Sequence, residues 1–195
     1  MSDPRITTAA TTEPEVLHAE RDPAAPPVAT RLELAGRSFT VAVTAAGDHD
    51  DLLAAFRAIA AAGEGYPQAP DEPVTQEEFD RYWLLPARVS VVARADDGRF
   101  AGAFTIKPNG VGRAAHVGNA GYFVVPAFRG IGLGEALVVH SFEVARAHGF
   151  DALQFNFVFA SNPARRMYER LGFELVGQVP DVVDGEAVCI YWRRL

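Results

Sequence analysis

Hydrophobic and polar positions alternate near the start of the folded region, then take a helical period, then alternate again. In residues 31–43, Phe39, Val41 and Val43 alternate with Thr40 and Ala42, the period of a half-buried strand. Ala35-Gly36 divides this stretch into two short strands. Leu52, Leu53, Phe56, Ile59 and Ala60 then fall on one helical face. Asp48 is the expected N-cap of that helix, with Asp51 in its first turn, where the helix dipole favours an acid. Gly63-Glu64-Gly65-Tyr66-Pro67 ends the helix and opens a loop. Thr75 followed by Glu78 predicts a capping box and a second helix through Leu85, closed by Pro86.

Residues 89–94 and 100–107 read as a hairpin around Asp96-Asp97-Gly98. Residues 119–125 form a further strand, and residues 134–148 a strongly amphipathic helix stopped by Gly149. Residues 152–159 are an apolar, aromatic strand. A short helix over residues 163–171 ends at Gly172, and residues 173–179 and 187–193 close the chain as strands. Strands, helices, a meander, then strand-helix-strand-helix and a last hairpin imply an α+β domain, with helices on a mixed sheet. Residues 1–29 are rich in Ala, Thr, Pro and acids and carry no apolar period. They read as a flexible N-terminal arm before one domain, residues 30–195.

Composition narrows the functional classes. The chain has 195 residues, 49% of them apolar, which suits a single globular domain with a sizeable core. A net charge of −7 argues against nucleic acid as a partner, since phosphate contacts need a basic face. No stretch approaches the roughly 20 apolar residues of a membrane span. The start, Met-Ser-Asp-Pro, lacks the basic-then-apolar order of a signal peptide, so the cytoplasm is the expected compartment. Cys189 is the single cysteine and lies in an apolar strand, where a free thiol packs as a small hydrophobe. No metal site is expected.

The segment that carries chemistry runs from Tyr122-Phe123-Val124-Val125-Pro126 into Ala127-Phe128-Arg129-Gly130-Ile131-Gly132-Leu133-Gly134-Glu135. A strand enters a tight turn, and the turn opens a helix. Three alternating glycines let a ligand approach the backbone closely. The first amides of the helix lack internal partners and, with the helix dipole, suit a pyrophosphate. The glycine spacing departs from the dinucleotide-binding G-x-G-x-x-G, and the Gly-Lys-Ser/Thr of nucleotide hydrolases is absent.

Arg129 to Gly134 resembles the R/Q-x-x-G-x-G/A acetyl-CoA motif of the GNAT superfamily of N-acetyltransferases. Ala164-x-x-Met167-Tyr168-x-x-x-Gly172-Phe173 resembles that family's A-x-x-L-Y-x-x-x-G-F. The resemblance implies a GNAT-like mixed sheet, splayed between two strands and flanked by helices, with acetyl-CoA as co-substrate. It implies that backbone groups of Phe123 and Val124 bond the pantetheine arm, with a β-bulge nearby that opens the gap. Amides from Gly130 through Ile131, Gly132, Leu133 and Gly134 to Glu135 would hold the pyrophosphate behind Arg129. Tyr168 would protonate the departing thiolate.

The family places an Asn seven residues before this Tyr. Here Ser161 stands there, with Asn162 one residue later. Asn162 is the preferred cofactor contact, and the alternative is that it only caps the following helix. No base is evident. His116, Glu64 and Tyr66 are candidates, each more readily explained as structural. His140 and His148 are expected to face solvent or to cap the long helix.

Asn119 and Asn156 open one strand and interrupt the other. A polar residue in an apolar strand needs a partner, either across the strand gap or in an acceptor pocket. Gly118-Asn119-Ala120-Gly121 and Phe155-Asn156-Phe157-Val158-Phe159-Ala160-Ser161-Asn162 also resemble fungal-type N-acetyltransferases of toxic proline analogues such as azetidine-2-carboxylate. That resemblance implies that Asn119 and Asn156 hold an acceptor carboxylate and Asn162 the CoA. The partner is then a small-molecule amine. Other acceptors within the class are a protein N-terminus, a polyamine or an aminoglycoside, the last two served by acids such as Asp71, Glu72, Glu77, Glu78 and Asp80. Outside it stands a non-catalytic acyl-CoA-binding module. Many relatives form homodimers, for which the apolar C-terminal strands are the candidate interface.

Overall fold

The computed structural model describes residues 29–63, 65–67, 71–85 and 88–195. The expected arm, apart from Ala29, the candidate base Glu64 and the helix stop Pro86 lie outside the described residues.

Eight strands form one sheet. β1 (Thr30–Leu34) and β2 (Arg37–Val43) make the first hairpin, and β3 (Val89–Ala95) and β4 (Phe100–Pro108) the second. β5 (Val117–Val124) and β6 (Ala152–Phe159) flank the long helix α3 (Leu133–Ala147). After the short helix α4 (Arg165–Arg170), β7 (Glu174–Val183) and β8 (Glu186–Arg194) close the chain. The order is β1-β2-β3-β4-β5-β6-β8-β7. Every pair is antiparallel except β5 with β6, which the crossover through α3 makes parallel. This is the α+β class that the periodicity predicts.

Two apolar layers cover the sheet. On one face α1 (His49–Ala61) and α2 (Gln76–Phe79) bury Leu52, Phe56, Ile59, Phe79 and Trp83 against Val92, Ala103 and Phe123. On the other, Leu133, Leu137, Val138 and Val144 of α3 pack on Phe104, Ile106, Ala120 and Phe155. Each fully buried Val, Leu, Ile or Phe among them contributes about 1.5–3 kcal/mol of transfer free energy. No described helix is long and apolar enough to cross a membrane.

Local signals hold with two changes. Thr75 and Glu78 form the capping box: Thr75 Oγ1 accepts from the Glu78 amide at 3.2 Å, and the Glu78 carboxylate accepts from the Thr75 amide at 2.8 Å. The helix they start does not stay α-helical to Leu85, because Asp80–Leu84 widens into a π turn. Asp48 occupies the N-cap of α1 but makes no capping bond. Its carboxylate accepts from the Ala45 amide and pairs with Arg94 at 2.8 Å, pinning α1 to β3.

Candidate active site

β5 leads directly into α3. Pro126–Phe128 makes one 3-10 turn after the strand. Gly130 and Gly132 then take φ of +76° and +88°, a left-handed backbone that costs other residues about 1–2 kcal/mol. A Cβ on either would meet nothing within 4 Å, so the turn's backbone lies open. The first described α3 bond runs from the Ala136 amide to the Gly132 carbonyl at 3.0 Å, and the preceding amides of Leu133, Gly134 and Glu135 have no acceptor within the helix. Buried Leu133 and half-buried Ile131 anchor the turn to the core. Arg129 Nε donates to the Val124 carbonyl at 2.9 Å. The Glu135 carboxylate pairs with Arg170 at 2.9 Å, which offsets its negative charge beside the open amides. Open glycine backbone and outward amides at a helix N-terminus fit a diphosphate.

The strands on either side of this turn separate. β5 and β6 pair only at Val117↔Ala152, Gly118↔Leu153 and Asn119↔Gln154. β5 itself is regular: its ladder with β4 runs unbroken from Gly102↔Val124 to Pro108↔Gly118. The irregularity lies in β6, whose register against β8 slips between Phe155 and Val158. Asn156 and Phe157 occupy the slip, as in a β-bulge.

The ladder also corrects one expectation about the pantetheine arm. The Val125 amide donates to Ala101 at 3.0 Å and the Asn109 amide to Val117 at 2.8 Å. The alternation of an antiparallel ladder therefore turns the backbone of Phe123 toward β4. Its ring is buried against Trp83 and Phe56. Tyr122 and Val124 are the residues whose backbone groups face the gap.

Tyr168 approaches from α4. It is 8% exposed, with its ring 4.9 Å from that of Phe155. Burial, then the nearby Tyr191, pushes its phenol up to about 12, so it stays protonated at neutral pH. Its charge would also disfavour ionisation of Tyr66 and Tyr122. Tyr122 shares a hydrogen bond with Ser141 at 2.7 Å. On the α1–α2 face, the Tyr66 and Tyr82 rings meet edge to face at 5.7 Å, the Tyr66 hydroxyl donates to the Tyr122 carbonyl at 3.4 Å, and burial drives both phenols upward. Tyr82 lies over Gly121: a Cβ there would sit 2.5 Å from the Tyr82 hydroxyl.

The three asparagines part company. Asn119 Nδ2 donates to the Gln154 carbonyl at 3.0 Å, at the last rung before the gap. Asn156 is exposed and not buried in its strand. The slip in β6 turns it outward, where it accepts from Gln154 Nε2 at 2.7 Å and donates to the Asn109 side chain. Asn162 Oδ1 accepts from the Ala164 amide at 2.8 Å, the helix-initiating bond of the alternative reading, and the residue lines a cleft of about 520 Å³ with Ser161, Arg165, Arg166 and Glu169.

The remaining titratable candidates are elsewhere. His116 is exposed, its Nδ1 2.9 Å from the Arg113 carbonyl. His148 Nδ1 is 2.9 Å from the Val144 carbonyl of its own helix. His140 does not face solvent: it is 5% exposed, edge-on to Phe104, with Nε2 lacking a partner. The acids of α2 do not form a groove: Glu77 pairs with Arg81, Glu78 closes the capping box, and Asp80 accepts from Gln76. Among the described residues no group of three or more His, Cys, Asp or Glu can hold a metal. Tyr82, Gly121 and Lys107 were not singled out from the sequence. Gly121, a glycine amid apolar strand residues, is the signal that could have marked the close approach of Tyr82.

A donor whose diphosphate rests on the α3 turn and whose acyl group enters between β5 and β6 is what this geometry accommodates, and proteins of that class are acetyl-CoA-dependent acetyltransferases. Residues 53–173 match the profile of the Acetyltransferase (GNAT) family, and the chain belongs to that family. N-acetyltransferase aca1 of Schizosaccharomyces pombe is 42% identical over 81 residues, 41% of this chain and 39% of that protein's length. A GCN5-related N-acetyltransferase from Kribbella flavida is 32% identical with a TM-score of 0.73, over 80% of this chain and 98% of that one. A phosphinothricin acetyltransferase from Sinorhizobium meliloti, in complex with AcCoA, is 20% identical with a TM-score of 0.68, over 80% and 88% of the two chains. That last likeness is one of fold.

Proposed function

We propose that the protein acetylates the amine of a small, amino-acid-like molecule. The observation that carries this reading is the short β5–β6 pairing, which ends at Asn119 and Gln154 and leaves a gap with a glycine turn at its far end and side-chain amides at its near end. Bound acetyl-CoA supplies an activated thioester carbonyl.

The chain's residues divide the remaining tasks. Amides from Gly130 to Glu135 hold the diphosphate, and Arg129 fixes the turn to Val124. Backbone groups of Tyr122 and Val124 align the pantetheine arm, and Asn162 Nδ2 offers it a donor. Phe123 supports this edge through its buried ring. Tyr168 donates a proton to the leaving sulfur. Asn119 and Asn156, each able to donate and accept, orient the acceptor on the α1–α2 face, where the aromatic rings of Tyr66 and Tyr82 shield it. The acids Glu77, Glu78 and Asp80 are engaged by Arg81, Thr75 and Gln76 on the helix surface, which favours a small molecule over a polycation.

The domain occupies residues 30–195. Its buried free Cys189 suits a reducing compartment such as the cytoplasm, and exposed apolar residues on β7 suit a homodimer.

Thiol release from acetyl-CoA, followed with azetidine-2-carboxylate, proline, other amino acids, spermidine, an aminoglycoside and short peptides, tests the reading. Release with the amino or imino acids, reduced by Asn156→Ala, is expected. Release with polyamines, aminoglycosides or peptides alone overturns the acceptor class. Acetyl-CoA binding without release to any amine overturns the catalytic reading.

A further inference from the structure

The sheet face that would receive the acceptor carries one polar row across β4, β5 and β6, extended by the residue that precedes β3. Lys107 of β4 stands opposite Asn119 of β5, and Asn119 stands opposite Gln154 of β6. Residues opposed in a ladder share a face. Val89 is opposite Ile106, so Arg88, one residue earlier, continues the row beside Lys107. The next row is Ser90, Thr105 and Gly121, and the one after is the apolar Val92, Ala103 and Phe123. The polar row therefore marks where the α1–α2 core stops.

Two cations stand together in it. Arg88 lies with its guanidinium 5.3 Å from the centre of the Tyr82 ring. Lys107 is half-buried, and burial followed by the charge of Arg88 disfavours its protonated form. Among the described residues, Lys107 has no hydrogen bond or ion pair. A partly desolvated lysine beside an arginine, where the lysine pairs with no acid among the described residues, is an arrangement that an incoming anion stabilises. The β5–β6 pairing ends at the Asn119–Gln154 rung of this same row, so a carboxylate held at the row leaves the adjacent amine of an α-amino or α-imino acid at the mouth of the gap.

We propose that Lys107, flanked by Arg88 and Asn119, binds the carboxylate of the acceptor, so that acceptors are amino or imino acids with a free carboxylate. The proposal rests on the reading of this face as the acceptor site. It adds a charged determinant to the two asparagines, and it excludes amines that lack an anionic group.

The experiment compares azetidine-2-carboxylate with its carboxamide, and proline with prolinamide, as acceptors for the full chain and for Lys107→Gln and Lys107→Arg. Circular dichroism and acetyl-CoA calorimetry on the same samples report folding and donor binding. The wild type should prefer the acid over the amide. Lys107→Gln should reduce that preference about 10–100-fold, the range of one charged hydrogen bond, chiefly through KM for the acid. Lys107→Arg should restore much of it. Equal use of acid and amide, or a preference untouched by a folded Lys107→Gln, overturns the carboxylate site and leaves the N-acetyltransferase reading standing. If Lys107→Gln does not fold, a Lys107→Arg variant with wild-type KM for the acid supports the proposal, and acid and amide used alike by the wild type overturns it. Acetyl-CoA binding without acetylation of any amine overturns both.

Discussion

Tyr168 and His140 are both buried titratable side chains, and burial acts on them in opposite directions. The phenol of Tyr168 is pushed up to about 12, against about 10 in an unfolded chain. The folded state therefore holds this proton more tightly, and the stability it confers is complete below pH 10. It falls away as pH rises through about 12. Tyr168→Phe should flatten that alkaline slope in denaturant titrations. The same variant should lower kcat by about 10²–10⁴-fold if the phenol is the general acid, while calorimetry finds acetyl-CoA affinity unchanged. Full turnover by the variant would make Tyr168 a packing residue. For His140, burial lowers the pKa, and the charge of Glu143 opposes it more weakly. The unfolded chain then takes up a proton near pH 6.5 that the folded chain refuses. The stability tied to neutral His140 is present above that pH and is lost as pH falls through the depressed folded value. His140→Leu should remove this part of the acid sensitivity, measured as the difference in unfolding free energy between pH 7 and pH 5. An unchanged difference would show that His140 does not titrate in that window.

The turn between β5 and α3 is set by backbone conformation more than by side chains. Gly132 has φ +88° and open space where a Cβ would be. Gly132→Ala should cost about 1–2 kcal/mol from the left-handed backbone, read as a lower melting temperature. It should also weaken acetyl-CoA binding, because the new methyl enters the space beside the outward amides. Calorimetry separates the two effects, and unchanged affinity would remove the turn from the donor site. This element was legible in the sequence because glycine spacing, a strand before and an amphipathic helix after it are all local signals. The capping box at Thr75 and the hairpins were legible for the same reason. What depends on a partner strand was not. The slip of β6 against β8 is a property of two chains in register, and it moved Asn156 from an expected buried position to an exposed one. The ladder between β4 and β5 likewise decides that Tyr122, and not Phe123, faces the gap. His140 was read as outward because its polarity outweighed its place between Leu137, Val138 and Val144. The π turn at Asp80–Leu84, which carries Tyr82 toward Gly121, has no sequence period of its own.

On the scale of the whole molecule, the sheet has two ends of different character. β1 is a short edge of five residues, whereas β7 spans ten residues with little covering them. Leu175, Val176 and Val179 are 47%, 55% and 45% exposed, and Val182 adds a fourth apolar side chain to the same strand. A long edge strand with unpaired backbone groups and apolar side chains invites pairing with another chain. Pro180, Asp181 and the register slip after Val179 blunt the C-terminal part of this edge, which leaves the apolar stretch from Leu175 to Val179 as the part to be covered. A second copy of this chain is the simplest cover, since a two-fold axis lets the same edge serve both partners. The protein should therefore sediment as a dimer at micromolar concentration, and Val176→Lys with Val179→Lys should shift it to the monomer. The gap between β5 and β6 is separated from β7 by β8, and every residue assigned to donor and acceptor lies within one chain. Activity per chain should then survive monomerisation, with a melting temperature lower than that of the dimer. A wild type that sediments as a monomer would refute the interface. A well-folded monomeric variant that binds acetyl-CoA yet has lost turnover would show that the partner completes the site.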